Sequence, residues 1–218
     1  FLPNHIKIKT IIKLFCDNNK IKDKPFVMDF YGYKYNGNFN CYIDWSAYFF
    51  GAYEKEDIQV LADLANATQA PVFFDIGANI GHHSLFMARL CDQVHSFEPY
   101  SVVREKLEEK LNINNRSNIH IHPVGLGEED QELEFYAPQG SNTGTGSFVS
   151  SHEVDNNESI GKLKVVNSDE YVARLNLEKL DIIKIDVEGF EKSVLLGLKD
   201  TIAKYRPSLM VEYSEDTK

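Results

Sequence analysis

Cysteine is scarce in this chain of 218 residues: Cys16, Cys41 and Cys91 are the three, odd in number and far apart. Their spacing suits no zinc site. The expectation is reduced, mostly buried thiols in a cytoplasmic protein. Long apolar runs are also missing, so no segment approaches the 18 or so residues of a membrane span. No secretory signal is seen, in a sequence that begins at Phe1. There is no internal repeat and no Pro/Ser-rich linker. Positive charge is in short supply, with 23 Lys and Arg against 33 Asp and Glu, a formal charge of −10. A field of that sign repels phosphate backbones and anionic lipid, which argues against a nucleic-acid partner.

What is present is an ordinary globular composition, 43% hydrophobic and 26% charged. A chain of this size buries a core without staples. Charge is uneven: residues 1–70 balance eight Lys with eight acids, so the whole −10 lies beyond them. Residues 1–24 carry a local +4.

Residues 5–16 read as an amphipathic helix with Ile8, Ile11, Ile12 and Phe15 on one face. It is either a packed cap helix or a membrane-surface or partner helix. Residues 25–45 read as two or three short strands with hairpins. A helix is expected over 54–67, with Ile58, Leu61, Ala62 and Ala65 inward. From Pro71 the pattern becomes short apolar runs alternating with helices. Strands are expected at 72–74, 94–97, 119–124, 132–136, 180–187 and 209–213, and helices at 82–91, 101–112, 168–176 and 190–204. Gly125–Gly127 reads as a break, and 138–161 as a long mobile loop. Asn167 and Glu170 form a capping-box pattern.

This order predicts an α/β fold, a doubly wound Rossmann-like parallel sheet with a small N-terminal α+β elaboration. Residues 1–50 would pack on a main domain over 51–218. Ligands in such sheets bind beyond the carboxyl ends of the strands. Three strand ends finish in acids, Asp75, Glu98 and Asp186, and so point to one crevice.

The loop Asp75-Ile-Gly77-Ala78-Asn79-Ile-Gly81 is G-x-x-x-G, neither the dinucleotide fingerprint nor a P-loop. Gly77 permits a tight turn, and Gly81 would let a cofactor lie against the following helix. An acid beside the loop disfavours pyrophosphate and favours a cofactor carrying an ammonium. The alternative is a turn that serves packing alone. Glu98 ends the next strand, where an acid accepts hydrogen bonds from ribose hydroxyls, or is simply solvated. Lys184, Asp186 and Glu188 alternate onto one face, either as a structural network or as acids aimed at ligand.

Together these motifs resemble the FkbM-type family of S-adenosylmethionine-dependent methyltransferases. The matching stretches are FFDIGANIGHHSL (73–85), HSFEPY (95–100), VGLG (124–127), GTGS (144–147) and IIKIDVEGFEKSVLLG (182–197). Gly51-Ala-Tyr53-Glu54 resembles the segment just before the family's core. The resemblance implies S-adenosylmethionine as cofactor and O-methylation of a small molecule or sugar. It sets Asp75, Gly77, Asn79 and Gly81 around the methionine part, Glu98 on the ribose, and Val124, Gly125 and Leu126 near the adenine, with Ala78, Ser84 and Pro99 also in the cofactor site. Tyr53 and Glu54 join the cofactor site. Asp186 and Glu188 lie by the methyl group and acceptor, with Asp186 the first candidate base. His82 and His83 are further base candidates, although a helix N-terminus disfavours a protonated histidine. No metal is implied, since these His and acids lack ligand spacing. Sheets of this kind close with a further strand pair, for which only Ser214–Lys218 remain. The alternatives are a nucleic-acid or protein methyltransferase and a non-catalytic cofactor-binding module.

Overall fold

The computed structural model describes residues 23–69, 71–115, 117–138, 146–149 and 157–212. The helix expected over 5–16, and most of the expected loop over 138–161, lie outside them. Strands β1 (Pro25–Phe30) and β2 (Tyr33–Asn38) form an antiparallel hairpin. Its two-residue turn puts Tyr31 and Gly32 at positive φ, 52° and 87°, matching the right-handed strand twist. The third strand considered for this region is instead a helix, α1 (Tyr42–Phe50). Its aromatic residues pack on neighbours around the turn, which outweighs their strand preference. Helix α2 (Lys55–Asn66) buries Ile58, Leu61, Ala62 and Ala65, as expected from the period of 3.6.

The main sheet has five parallel strands, namely β3 (Val72–Ile76), β4 (Gln93–Phe97), β5 (Ile119–His122), β9 (Ile182–Ile185) and β10 (Ser208–Val211). Their spatial order is β10-β9-β3-β4-β5. Alternation splits them between two cores: Phe73 and Ile182 face one, Phe74, Ile183 and Ile185 the other. Helices α2, α3 (His82–Met87) and α4 (Ser101–Asn112) cover the first face. Helices α5 (Ser168–Arg174) and α6 (Glu191–Gly197) cover the second, and α7 (Lys199–Tyr205) leads into β10. This is the doubly wound, Rossmann-like arrangement. Successive strands are added on one side of β3 (β4, β5) and then on the other (β9, β10), so the strand order switches between β3 and β9, which opens the crevice there. The hairpin and α1 contribute Phe30, Tyr35 and Ala47 to the first core.

A second sheet departs from the sequence expectation. Gly125–Gly127 is not a break but strand β6, parallel to β8 (Asn157–Asn167), which also pairs antiparallel with β7 (Gln131–Pro138). Strand β8 is exposed over much of its length, so its sequence lacks a buried apolar run. The expected helix over 190–204 is two helices, divided at Leu198. The side chain of Asn167 accepts from the Glu170 amide at 2.9 Å, the expected cap. Among the described residues no helix is long and apolar enough to cross a membrane.

Candidate active site

A cavity opens at the carboxyl ends of β3, β4 and β9 and encloses about 990 Å³ of non-protein space, part of it open to solvent. Gly77 sits at its floor with φ 84°, and a Cβ there would stand 1.8 Å from the carbonyl oxygen of Asp186. Only glycine lets the exits of β3 and β9 approach this closely. The amides of Gly77 and Ala78 both donate to the Phe97 carbonyl at 3.1 Å. The turn is thereby welded to β4.

Glu98 is buried, and both of its oxygens are engaged. Oε2 accepts from the Asn79 amide and Oε1 from the Tyr100 amide, each at 2.9 Å. Burial still pushes its carboxyl up to about 7, against the pull of those two amides. Pro99 lines the cavity beside it. Three non-glycine residues on the cavity wall are left-handed: Glu54 (φ 45°), Asn79 (φ 51°) and Glu188 (φ 52°). Such strain clusters where geometry is fixed for function.

Of the other sequence candidates, Tyr53, Glu54, His82, His83, Gly125, Leu126, Asp186 and Glu188 also line this cavity. Asp75, Gly81, Ser84 and Val124 do not. Asp75 is buried behind the wall, where Oδ2 accepts from Ser84 Oγ at 2.5 Å and Ser84 meets Ser96 at 2.7 Å. Its Cα partner across the ladder is Lys184. At Gly81 a Cβ would stand 2.2 Å from Leu107 Cδ1, so packing requires glycine there. Val124 is buried in the second core.

Lys184, buried, places its Nζ 2.6 Å from Asp186 Oδ2. Burial alone would raise the Asp186 carboxyl, but the Lys184 ammonium and a hydrogen bond with Glu212 hold it below the usual carboxylate range. An acid so well satisfied is a weak base. Glu188 differs. Burial, then the charges of Asp186, Glu191 and Glu54, push it up to about 7. Burial and the Asp186 charge likewise carry Glu212 to about 8.

The two histidines differ. His82 Nε2 accepts the Tyr53 amide at 3.1 Å and Nδ1 meets the Tyr35 hydroxyl at 3.3 Å, so neither nitrogen is free to take a proton. Burial lowers its pKa to about 3. Both ring nitrogens of His82 are thus engaged in contacts within the fold. His83 Nε2 is buried, has no hydrogen-bond partner and lies 3.6 Å from Glu54 Oε2. Burial, with the Lys184 charge, keeps this ring neutral.

The sequence reading missed Glu212 and the aromatic wall. Glu212 directly follows β10 and lines the cavity, so the strand-end rule that found Asp75, Glu98 and Asp186 applies to it too. It was hidden because the strand reads as running on to 213. Phe148 packs against Phe135 at 5.0 Å and Phe190 at 5.3 Å between ring centroids. Ser147 donates to the Glu188 carbonyl at 2.6 Å. The described part of the Gly/Ser-rich loop thus forms one wall of the cavity. Among the described residues no cluster of His, Cys, Asp and Glu could hold a metal.

A relative, "Methyltransferase 1" of Beauveria bassiana (strain ARSEF 2860), is 30% identical over 155 residues, 63% of this chain and 62% of its own. "Hexuronic acid methyltransferase AglP" of Haloferax volcanii is 28% identical over 68% of this chain and 58% of its own. "2-O-methyltransferase NoeI" of Sinorhizobium fredii is 24% identical over 66% of this chain and 64% of its own. This chain therefore spans less than two thirds of each relative. A solved structure, methyltransferase FkbM from Methylobacillus flagellatus KT, has 21% identity and a TM-score of 0.47, covering 68% of this chain and 34% of that one. The family model described as the methyltransferase FkbM domain matches residues 75–217, which is more than half of the sequence, and the chain belongs to that family.

Proposed function

We propose that this chain transfers a methyl group from S-adenosylmethionine to a hydroxyl of a small molecule or sugar. The observation that carries the reading is the carboxyl-rich lining of the cavity. Glu54, Glu98, Asp186, Glu188 and Glu212 line it, and among the described residues the one lysine there, Lys184, is already engaged by Asp186. Carboxyls in such excess fit a ligand bearing a sulfonium and an ammonium, and disfavour pyrophosphate. Family membership and the printed names of the relatives support the same reading.

Glu98, with its remaining lone pairs, would hold the ribose hydroxyls, and Ala78 and Asn79 the methionine side. Gly125, Leu126 and the phenylalanine wall supply an apolar slot for the base. When bound, the cofactor supplies an electrophilic methyl group on a sulfonium, which leaves as a thioether. The protein's main task is alignment, which can supply up to roughly 7–11 kcal/mol. Glu188 takes the proton from the acceptor hydroxyl, while Lys184 and Asp186 brace the strand end beneath it.

The balance of −10 supports a small acceptor rather than nucleic acid. Buried free thiols at Cys41 and Cys91 support a reducing, cytoplasmic setting. The test is transfer of labelled methyl from the cofactor into a panel of sugars and small hydroxylated molecules, with mass identification. Label confined to RNA or protein, or no label at all, overturns the reading.

A further inference from the structure

A chain of buried polar contacts runs from the N-terminal hairpin to the cavity. The Tyr53 amide donates to His82 Nε2 at 3.1 Å, which leaves the ring proton on Nδ1. That N–H points at the Tyr35 hydroxyl oxygen, 3.3 Å away. The Tyr35 hydroxyl in turn donates to Asp44 Oδ1 at 2.8 Å, and Lys110 Nζ lies 3.4 Å from the same oxygen. Asp44 Oδ2 accepts from the Asn38 amide at 2.9 Å.

Tyr35 is 0%, Lys110 1%, Asp44 2% and His82 2% exposed, so water cannot replace a lost partner. The contacts tie β2, α1, α3 and α4 to a single turn, Tyr53–Glu54. That turn is held against its own preference, because Glu54 begins α2 in a left-handed conformation with no side-chain cap. Its carboxyl stands 3.6 Å from His83 Nε2. Both Tyr53 and Glu54 line the cavity.

We propose that Tyr35 is a positioning residue which, through His82, fixes the Tyr53–Glu54 turn and so makes the N-terminal hairpin part of the ligand site. The family match begins only at residue 75, so it does not include this hairpin. The inference rests on the cavity being the cofactor site for its binding readout, but not for its exchange readout.

The experiment uses the full chain. In ligand-free protein, Tyr35→Phe should speed amide exchange at Tyr53 by about tenfold, the worth of one neutral hydrogen bond, and leave the Leu85 amide of α3 unchanged. Affinity for S-adenosylhomocysteine should fall roughly three- to tenfold. His82→Gln, which keeps an acceptor for the Tyr53 amide, should bind like wild type, whereas His82→Leu should match or exceed the Tyr35→Phe loss. In a Glu54→Gln background Tyr35→Phe should add little. A Tyr35→Phe protein that melts lower yet keeps wild-type exchange and affinity overturns the proposal. If that variant does not fold, equal affinities of His82→Gln and His82→Leu overturn it instead. Wild type that ignores S-adenosylhomocysteine sinks the cofactor reading, and exchange at Tyr53 still decides the role of Tyr35.

Discussion

Lys184 Nζ lies 2.6 Å from Asp186 Oδ2, at the point where the strand order of the sheet switches. Lys184 is buried, and its ammonium stays charged because the attraction of Asp186 and Asp75 outweighs the cost of burial. Asp186→Asn removes the closer counter-ion. Breaking such a buried pair typically costs about 3–5 kcal/mol. Denaturant unfolding of Asp186→Asn should show a loss of that order, and Lys184→Met with Asp186→Asn should recover part of it. A variant as stable as wild type would show that the pair contributes nothing.

Glu188→Gln should lower kcat by about 10²–10⁴-fold with stability nearly intact. The ionised form is the base, and its carboxyl sits at about 7 in the free protein. Activity, as kcat/KM, should therefore fall tenfold per unit as pH drops below about 7 and level off above it. Steady-state kinetics across pH, with and without the substitution, checks this. A low-pH limb that survives in Glu188→Gln assigns the base elsewhere.

Much of this arrangement is legible in the sequence, for identifiable reasons. Phe73-Phe74-Asp75 reads as a strand buried on both faces because every position is apolar or beside a turn. Glu98 is found because strand-end acids follow from topology alone. Gly81 shows the limit, since glycine at a helix start looks the same whether a cofactor or Leu107 fills the space. His82 shows another: its partners, Tyr35 and the Tyr53 amide, are 47 and 29 residues away in sequence. Strand β8 is hidden because it is an exposed partner in a small sheet, without periodic burial.

Away from the cavity, His95 Nδ1 meets His122 Nε2 at 3.0 Å, and His122 Nδ1 meets the Tyr171 hydroxyl at 3.1 Å. Burial, with the neighbouring histidines, lowers His95 to about 3 and His122 to about 4. Both values lie below the unfolded one of about 6.5, so the unfolded chain takes up protons first. The stabilising contribution is complete above pH 6.5 and is lost as pH falls towards 4, by at most about 1.4 kcal/mol per unit for each ring. Urea unfolding at pH 7 and pH 5 should show a larger acid loss for wild type than for His95→Phe. Equal losses would mean the pair does not remain neutral in the fold.

The central claim is that the acid-lined cavity binds S-adenosylmethionine through Glu98. Calorimetric titration with S-adenosylhomocysteine, on wild type and Glu98→Ala, tests it most directly. The account predicts one binding site in wild type, no response to NAD, and a loss of about 1.5–3 kcal/mol in the folded variant, the worth of hydrogen bonds to a charged group. Binding of NAD without binding of the thioether, or an affinity indifferent to Glu98→Ala, would contradict it.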